Sequence, residues 1–215
     1  MISSKLPPVL DISNLTSTEE IIEFLYGSLK EEYTGSRNKQ YLHGKRIFFD
    51  FIHLFNDKYL FFWHLISLSE SEKFNILPCN NDVSSFIKCS VQNCLTQSNP
   101  ITLPNGKNRN ICFYRGIRIH WIKKIIELAN NKDPFIKEWE CEKKREGRKE
   151  KNFYIRFEHE TTDYLVVLSV RKKGFLFVTA YPLFYINRKQ ICDKQYEAYQ
   201  AYKTSMQTAA NAEKE

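Results

Sequence analysis

Two hydroxyl side chains close an apolar segment near the end of the chain, residues 177–182 (FVTAYP). Thr179 and Tyr181 are two positions apart, so both side chains point to one face if the segment is a strand. A basic, charge-rich run precedes this region at residues 142–151. Hydroxyls beside cationic side chains suit a surface that holds phosphate, because both kinds of group donate hydrogen bonds to its oxygens.

Two arginines lie inside the apolar arc of a predicted helix. The spacing of apolar residues predicts a helix over residues 115–130 whose broad apolar face packs on a core. Arg115 and Arg118 lie one turn apart within that face. A buried guanidinium is costly unless it is paired or opens onto a cleft, and the sequence shows no obvious acidic partner. Both arginines are therefore candidates for anion binding.

His64 has the position best suited to a site among the five histidines. It falls in an apolar stretch that is predicted to be a strand, so its side chain can enter a cleft at the strand's end. A hydrogen-bonded core histidine is the alternative interpretation. His120 lies on the polar face of the predicted helix, beside Lys123, and is interpreted as solvated.

The chain lacks the commonest hydrolase signatures. It contains no G-x-S-x-G, no P-loop glycine pattern and no H-E-x-x-H, and no paired carboxylates stand out. The six cysteines show no C-x-x-C spacing, so a zinc site is not expected. What remains is His, Arg, Lys, Thr and Tyr. This set suits RNA cleavage without a metal or cofactor, in which a base activates the ribose 2′-hydroxyl and cations stabilise the phosphorane.

Charge is concentrated in the second half of the chain. Residues 111–195 carry 19 basic and 11 acidic side chains, a net charge of +8, whereas residues 1–110 carry 11 of each. This asymmetry indicates a polyanionic partner such as RNA, although an ordinary solvated surface would give the same composition. The candidate nucleic-acid contacts are Lys123, Lys143, Lys144, Arg148, Lys149, Lys151, Arg156 and Arg171.

Capping and turn signals place the first elements. Ser17 and Glu20 form a predicted capping box that begins a helix ending near residue 32. The apolar stretch 48–68 contains too many polar groups for a membrane helix, and is predicted to form paired strands around an Asn-Asp turn at residues 56–57. Residues 69–110 are predicted to be a long loop with short pieces of structure, a kind of segment that is often functional.

The second half is predicted to be a helix, three strands and a helix. The first helix covers residues 134–146. Strands are expected near residues 152–159, 164–171 and 174–181, and their short connections favour antiparallel hairpins. A final helix is expected over residues 188–209.

Composition favours an ordinary folded protein. At 215 residues, with 42% hydrophobic and 14% aromatic side chains, the chain suits one domain with an N-terminal elaboration. The first fifteen residues are mixed and polar, so no signal peptide is expected. We therefore expect a soluble, cytoplasmic protein with reduced thiols and no membrane partner.

The order of three short motifs resembles a known nuclease superfamily. Phe-Trp-His-x-x-Ser comes first (residues 62–67), then Arg-x-x-Arg-Ile-x-Trp-Ile (115–122), then a β-meander that ends in Thr-Ala-Tyr-Pro (179–182) before a helix. This order is similar to that in the phage and mobile-element nucleases of the barnase–EndoU–colicin–RelE superfamily, which include toxin-like members.

The resemblance sets the predicted domain boundaries. It covers residues 45–199, which form the predicted nuclease domain. Residues 1–44 are then an N-terminal helical extension, and residues 200–215 a polar C-terminal tail.

The resemblance implies an α+β fold in which helices pack on one face of an antiparallel sheet that forms the RNA cleft. It makes His64 the candidate general acid or base. Arg115 and Arg118 would bind and stabilise phosphate, and Thr179 and Tyr181 would orient it or carry protons.

The leading hypothesis is a metal-independent endoribonuclease. It would be the toxin of a toxin–antitoxin or phage-defence system, with RNA as substrate and an antitoxin or immunity protein as partner. Two alternatives from other classes are a non-catalytic nucleic-acid-binding regulator and a protein-interaction module on the same fold. Residues 69–110 carry no recognisable motif, and would occlude the cleft if they covered the sheet.

Overall fold

The computed structural model of the protein describes residues 3–69, 100–145, 148–183 and 186–212, with the backbone alone for residues 143–145, 148 and 209–212. The helices are α1 (Thr18–Tyr33), α2 (Leu60–Leu65), α3 (Phe113–Gly116), α4 (Trp121–Asn130) and α5 (Ile186–Ala212). The strands are β1 (Gln40–Leu42), β2 (Lys45–Phe48), β3 (Leu54–Phe55), β4 (Lys58–Tyr59), β5 (Ser67–Ser69), β6 (Pro100–Thr102), β7 (Asn108–Ile111), β8 (Ile136–Arg145), β9 (Arg148–His159), β10 (Thr162–Arg171) and β11 (Gly174–Pro182). The predicted α+β class is confirmed.

A six-stranded sheet in the order β1-β2-β11-β10-β9-β8 is the centre of the fold. Strands β8 to β11 form an antiparallel meander, and β2 joins β11 in parallel. Gly174 allows this junction, because its φ is +147° and an added Cβ would lie 2.3 Å from the carbonyl oxygen of Arg46. A residue with a side chain would force β2 and β11 apart at this point.

The two faces of the sheet carry different helices. One face packs with α1, α2 and α4 into the main core, which includes Phe62, Trp121 and Phe177. The other face packs with α5 into a smaller cluster that includes Trp139 and Cys192. The strands are therefore apolar on both faces wherever a helix covers them, as the uninterrupted apolar run in β10 indicates.

The N-terminal residues share the main core. Ser17 and Glu20 form the predicted capping box at the start of α1, and the buried residues of α1 belong to the same cluster as those of the sheet. Strand β1, which falls within residues 1–44, is an edge strand of the six-stranded sheet. The segment before α1 is also attached, since the backbone N–H of Leu10 donates to the carbonyl oxygen of Ile117 at 2.9 Å.

The predicted helix over residues 134–146 is wrong. The chain from Ile136 to Arg145 is strand β8, which pairs with β9 along its whole length. Its many Lys and Glu residues favour a helix in isolation. Trp139, which is fully buried against the α5 side of the sheet, and continuous pairing with the long strand β9 override that preference.

The predicted strand pair over residues 48–68 is only partly correct. Asn56 and Asp57 both have positive φ, 46° and 58°, and form the two-residue turn between β3 and β4. From Leu60 the chain is helical, because the aromatic residues that follow are buried in the main core as α2. His64 therefore lies in the last turn of a short helix and not at the end of a strand.

The remaining predictions fare differently. The helix expected over residues 115–130 is two helices, α3 and α4, separated by a turn. The three C-terminal strands and the final helix are confirmed within a few residues, except that β9 begins at Arg148. Of the predicted loop, residues 70–99 lie outside the description, while β6 and β7 form a small sheet with β5. No helix in the described ranges is both long enough and apolar enough to cross a membrane.

Candidate active site

Four of the five predicted catalytic side chains meet in one cleft of about 510 Å³. They come from three separate parts of the chain, namely α2, α3 and β11. Three further cationic side chains line the same cleft: Lys107, Arg109 and Arg188. The predicted residues that meet here are His64, Arg115, Thr179 and Tyr181.

His64 enters the cleft from the last turn of α2. Its partial burial, followed by the positive charges of Arg109, Arg115 and Lys107, lowers its pKa from 6.5 to about 4. Both causes act against the protonated ring, the first by desolvation and the second by repulsion. The imidazole is therefore neutral near pH 7, with one ring nitrogen free to accept a proton.

Arg115 brings an unneutralised charge to the cleft. Its side chain is 5% exposed, and its guanidinium donates to the carbonyl oxygens of Ser67 at 2.7 Å, His64 at 3.2 Å and Ala180 at 3.3 Å. Nε has no hydrogen-bond partner within the described structure, and the described hydrogen bonds of this arginine go to carbonyl oxygens and not to a carboxylate. These carbonyl contacts fix the fork in position while leaving its charge to act on a ligand.

A β-bulge in β11 sets which side chains of this strand reach the cleft. Pairing with β10 shifts so that Thr179 lies opposite Val167 and Phe177 lies opposite Leu168, with Val178 as the extra residue. Phe177 therefore packs in the main core while Thr179 lines the cleft on the opposite face. A regular strand would place both on one face, since they are two positions apart.

Tyr181 connects two arginines at the cleft wall. Its hydroxyl accepts a hydrogen bond from Nη2 of Arg188 at 3.4 Å, and the guanidinium carbon of Arg115 lies 5.4 Å from the centre of its ring. The interaction with Tyr181 raises the pKa of Arg188 above its ordinary value, so this arginine stays charged. Tyr181 thus lies between two positive charges, one at its ring and the other at its hydroxyl.

Sequence reasoning missed the three additional cations of the cleft. Lys107 and Arg109 lie in the turn and strand of the β6–β7 hairpin, within the segment predicted to be a loop. Arg109 donates to the hydroxyl of Ser67 at 2.6 Å and to its carbonyl oxygen at 2.8 Å. Lys107 and Arg109 are two positions apart and follow Gly106 directly. This spacing was an available signal, because side chains at alternate positions of a strand share a face. Arg188 carried no comparable signal.

The cleft is strongly cationic. Its lining includes one lysine and three arginines, and no aspartate or glutamate among the residues that the structure describes. Low-dielectric walls that carry charge of one sign focus the field and concentrate counter-ions. The cleft is therefore suited to an anion with several oxygens, such as a phosphate diester.

Arg118 and Lys123 lie apart from this cleft. Arg118 is 3% exposed, and its guanidinium carbon lies 3.5 Å from the centre of the Tyr114 ring and 5.1 Å from that of Trp121. These rings stabilise the buried charge by cation–π contact. Lys123 forms an ion pair with Glu32 at 2.8 Å on the α1–α4 surface.

The basic run of residues 142–151 faces its own carboxylates across the β8–β9 hairpin. Lys151 pairs with Glu140 at 2.5 Å, and Lys149 lies 3.7 Å from Glu142. Exposed pairs of this kind are weak and leave both side chains available to other partners. The side chains of three more predicted contacts lie outside the described structure: Lys143, Lys144 and Arg148.

The predicted contact between Arg156 and nucleic acid does not fit its burial. The side chain is fully buried, and its guanidinium donates to Asp163 at 2.7 and 2.8 Å, to Asp193 at 2.6 Å and to Glu158 at 3.0 Å. Asp193 belongs to α5, so this network attaches that helix to the sheet. Arg171, by contrast, is exposed and lines a second groove beside the cleft.

Comparison of the chain with known proteins identifies no relative. No family model, no curated protein and no solved structure matches the chain. Within the described ranges, no group of three or more His, Cys, Asp or Glu side chains is arranged to hold a metal ion. The fold and the site define the protein as an α+β protein with a cationic cleft that contains a neutral histidine and a tyrosine.

Proposed function

We propose that the protein is a metal-independent endoribonuclease with an active site in the cleft formed by His64, Arg115, Thr179 and Tyr181. One observation carries the proposal. These four side chains come from three separate parts of the sequence, and they share a cleft whose described lining is cationic and free of carboxylates. RNA cleavage needs such a set, because the attacking 2′-hydroxyl must lose a proton while negative charge grows on the phosphate.

Each side chain has a chemical role in this proposal. His64 accepts the proton of the 2′-hydroxyl, whose oxygen then attacks phosphorus. Arg115 stabilises the negative charge of the phosphorane, and Thr179 donates a hydrogen bond to one of its oxygens. The bond from phosphorus to the 5′-oxygen then breaks, and that oxygen takes the proton of the Tyr181 hydroxyl. The products are a 2′,3′-cyclic phosphate and a 5′-hydroxyl, and His64 returns its proton to Tyr181 through solvent.

Cleavage of RNA in EDTA tests the proposal directly. Purified protein should produce 2′,3′-cyclic phosphate ends, and His64→Gln should reduce the rate by at least about a hundredfold, because a positioned base contributes that much. His53→Gln is the matched control, since His53 is exposed and pairs with Asp50 on the surface. Equal rates for wild type and His64→Gln would refute the site, and absence of any product would refute the enzyme.

The two buried arginines provide a second matched pair. Arg115→Met should reduce cleavage by about a hundredfold or more, as expected for loss of a charge that stabilises the transition state. Arg118→Met removes an equally buried arginine that does not line the cleft. Thermal unfolding of both variants separates loss of the fold from loss of the chemistry. Equal loss of activity in two folded variants would contradict the assignment.

A non-catalytic RNA-binding module is the second candidate. The low pKa of His64 favours it, because an imidazole that binds a proton only near pH 4 is a weak base for the 2′-hydroxyl at pH 7. This candidate predicts strongly salt-dependent binding with no product. Mass spectrometry of RNA after long incubation distinguishes the two.

We also propose that the nuclease acts as the toxin of a toxin–antitoxin or phage-defence system, on the basis of its resemblance to toxin-like nucleases. Expression of the wild-type chain in a bacterium should arrest growth, and expression of His64→Gln should not. Growth arrest by both would mean that toxicity does not depend on the cleft. If only the wild-type chain arrests growth, the inhibitory partner can be sought among proteins that restore growth when they are expressed with it.

A further inference from the structure

A second groove continues from the cleft across the same face of the sheet. It has a volume of about 510 Å³ and shares four lining residues with the cleft. These are Val178, Thr179, Tyr181 and Arg188. An extended ligand bound at the cleft can therefore pass over β11 into the groove without leaving the protein surface.

Within the described residues, the path of α5 does not cover the groove. The helix begins beside Tyr181, where Arg188 lies, and then crosses towards β8, where Gln195 accepts a hydrogen bond from the indole of Trp139 at 3.3 Å. The outward side chains of β10 and β11 further along the sheet lie beyond this path. One of them is Val178, the extra residue of the bulge, which is 41% exposed.

The floor of the groove carries a cross-strand pair of polar side chains. Asn152 of β9 lies directly opposite Ser169 of β10, and both line the groove. Directly opposed side chains have Cβ atoms about 5 Å apart, so an amide and a hydroxyl are presented side by side. Together they offer hydrogen-bond donors and acceptors to one ligand.

Neither of these side chains forms a hydrogen bond with another residue in the described part of the chain. The side chain of Ser169 is nevertheless only 4% exposed. A polar group at this depth has little contact with bulk water, so a ligand in the groove can supply the hydrogen-bond partner that the described residues do not. Asn152 and Ser169 can therefore form hydrogen bonds with a ligand in the groove.

The charges at the ends of the groove suggest what it holds. Arg188 lies at the cleft end, and Arg171 and Glu150 lie at the far end. The cleft has no acidic side chain in its described lining, but the groove has Glu150. Between these ends the described lining of the groove is uncharged, and Glu150 can accept a hydrogen bond from a base amino group, so this floor suits a base better than a second phosphate.

We propose that the groove is a base-recognition subsite for single-stranded RNA. Asn152 and Ser169 bind the base of the nucleotide next to the phosphate held at Arg115, and Arg171 binds the phosphate beyond it. The substrate is single-stranded, because a paired base cannot turn its hydrogen-bonding edge into the floor. This inference deepens the proposed function and rests on the same strand occupying the cleft.

Binding of uncleavable RNA tests the subsite separately from catalysis. Hexanucleotides with 2′-O-methyl groups cannot undergo attack by the 2′-oxygen, so fluorescence anisotropy measures affinity alone. Libraries fixed to each base at one position in turn should show a preference of about tenfold at one position, the size expected for hydrogen bonding to a base edge. A duplex of the same sequence should bind more weakly.

The double variant Asn152→Ala, Ser169→Ala should lose this preference while keeping the affinity for unfavoured sequences. The control Asn14→Ala, Ser36→Ala makes the same changes at exposed positions and should keep it. Ser169→Ala alone should weaken the preference with the least risk to folding. Arg171→Met should lower the affinity for all sequences alike, and should reduce the salt dependence.

The possible outcomes separate the two proposals. Binding with a base preference that the double variant abolishes supports the subsite, even if the protein never cleaves RNA. Binding without a preference, an unchanged preference in the double variant, or equal affinity for the duplex overturns the subsite, even if cleavage is confirmed. Absence of binding at low salt overturns both.

Discussion

The pKa of His64 is the most direct measure of the charge balance in the cleft. Burial and three neighbouring cations lower it from 6.5 to about 4. At 1.36 kcal/mol for each pKa unit, this lowering corresponds to at most about 3–4 kcal/mol between the two protonation states. Because the ring is only partly buried and solvent screens the cations, we expect about 1–2 kcal/mol to appear as stability.

The sign of the effect on stability follows from which state binds the proton first. His64 has a lower pKa in the folded protein, so the unfolded chain takes up a proton at this position as soon as the pH falls below about 6.5. Folding is therefore disfavoured progressively between pH 6.5 and about 4. His64→Gln cannot bind this proton. Between pH 7 and pH 4 its free energy of unfolding, measured in urea, should therefore fall by about 1–2 kcal/mol less than that of the wild type.

Nuclear magnetic resonance gives the pKa itself. The imidazole carbon-bound proton of His64, identified by its absence in His64→Gln, should titrate with a midpoint near 4. Arg109→Gln should raise the midpoint, because Arg109 is the largest charge contribution. An uncleavable 2′-O-methyl dinucleotide should raise it further, by about one unit or more, since its phosphate opposes all three cations. A midpoint at 6 or above in the free protein would refute this account of the cleft.

Three other predictions concern the frame and the surface. Gly174→Ala should lower the free energy of unfolding by about 2–4 kcal/mol in urea because of its contact with β2, whereas Gly27→Ala, where an added Cβ meets nothing within 4 Å, should raise it by up to about 1 kcal/mol. Arg156→Met should cost about 3 kcal/mol, because it leaves the buried Asp163 without two hydrogen bonds; a calorimetric change below about 1 kcal/mol would contradict this. The logarithm of RNA affinity should fall with that of salt concentration with a slope of about −3 if all four cations of the cleft contact phosphates, and a flat response would exclude a phosphate cleft.

Local signals predicted the elements whose neighbours agree with them. The capping box at Ser17 and Glu20 predicted the start of α1, because it is a short-range interaction that the sequence fully specifies. The strand-like segments and the short connections between them likewise predicted β9, β10 and β11 as antiparallel neighbours. In these elements propensity, turn chemistry and tertiary packing favour the same structure.

The wrong predictions fall where distant contacts decide. Strand β8 has a helix-forming composition, and it is a strand because β9 pairs with all of it and Trp139 is buried on the α5 side. Nothing near Trp139 in the sequence identifies those partners. His64 belongs to a helix for a related reason, since the aromatic residues around it fill a core built from elements far along the chain.

The site was predicted in part because unusual residues are visible without a fold. Arg115 was singled out by an apolar helical face, and the structure explains how it is accommodated, through three carbonyl oxygens and an opening to the cleft. The same reasoning selected Arg118, which instead packs on aromatic rings. Periodicity identifies a buried arginine but does not reveal whether a cleft or a ring receives it.

The bulge at Val178 is what converts the Thr179–Tyr181 spacing into a surface feature. Their separation by two positions already places them on one face, but it does not determine which face. Without the extra residue, both side chains would continue the alternation of Phe177 and point into the main core. The bulge reverses that alternation, so the hydroxyls line the cleft beside Arg188. A one-residue irregularity in the backbone therefore decides whether this strand can contribute to chemistry.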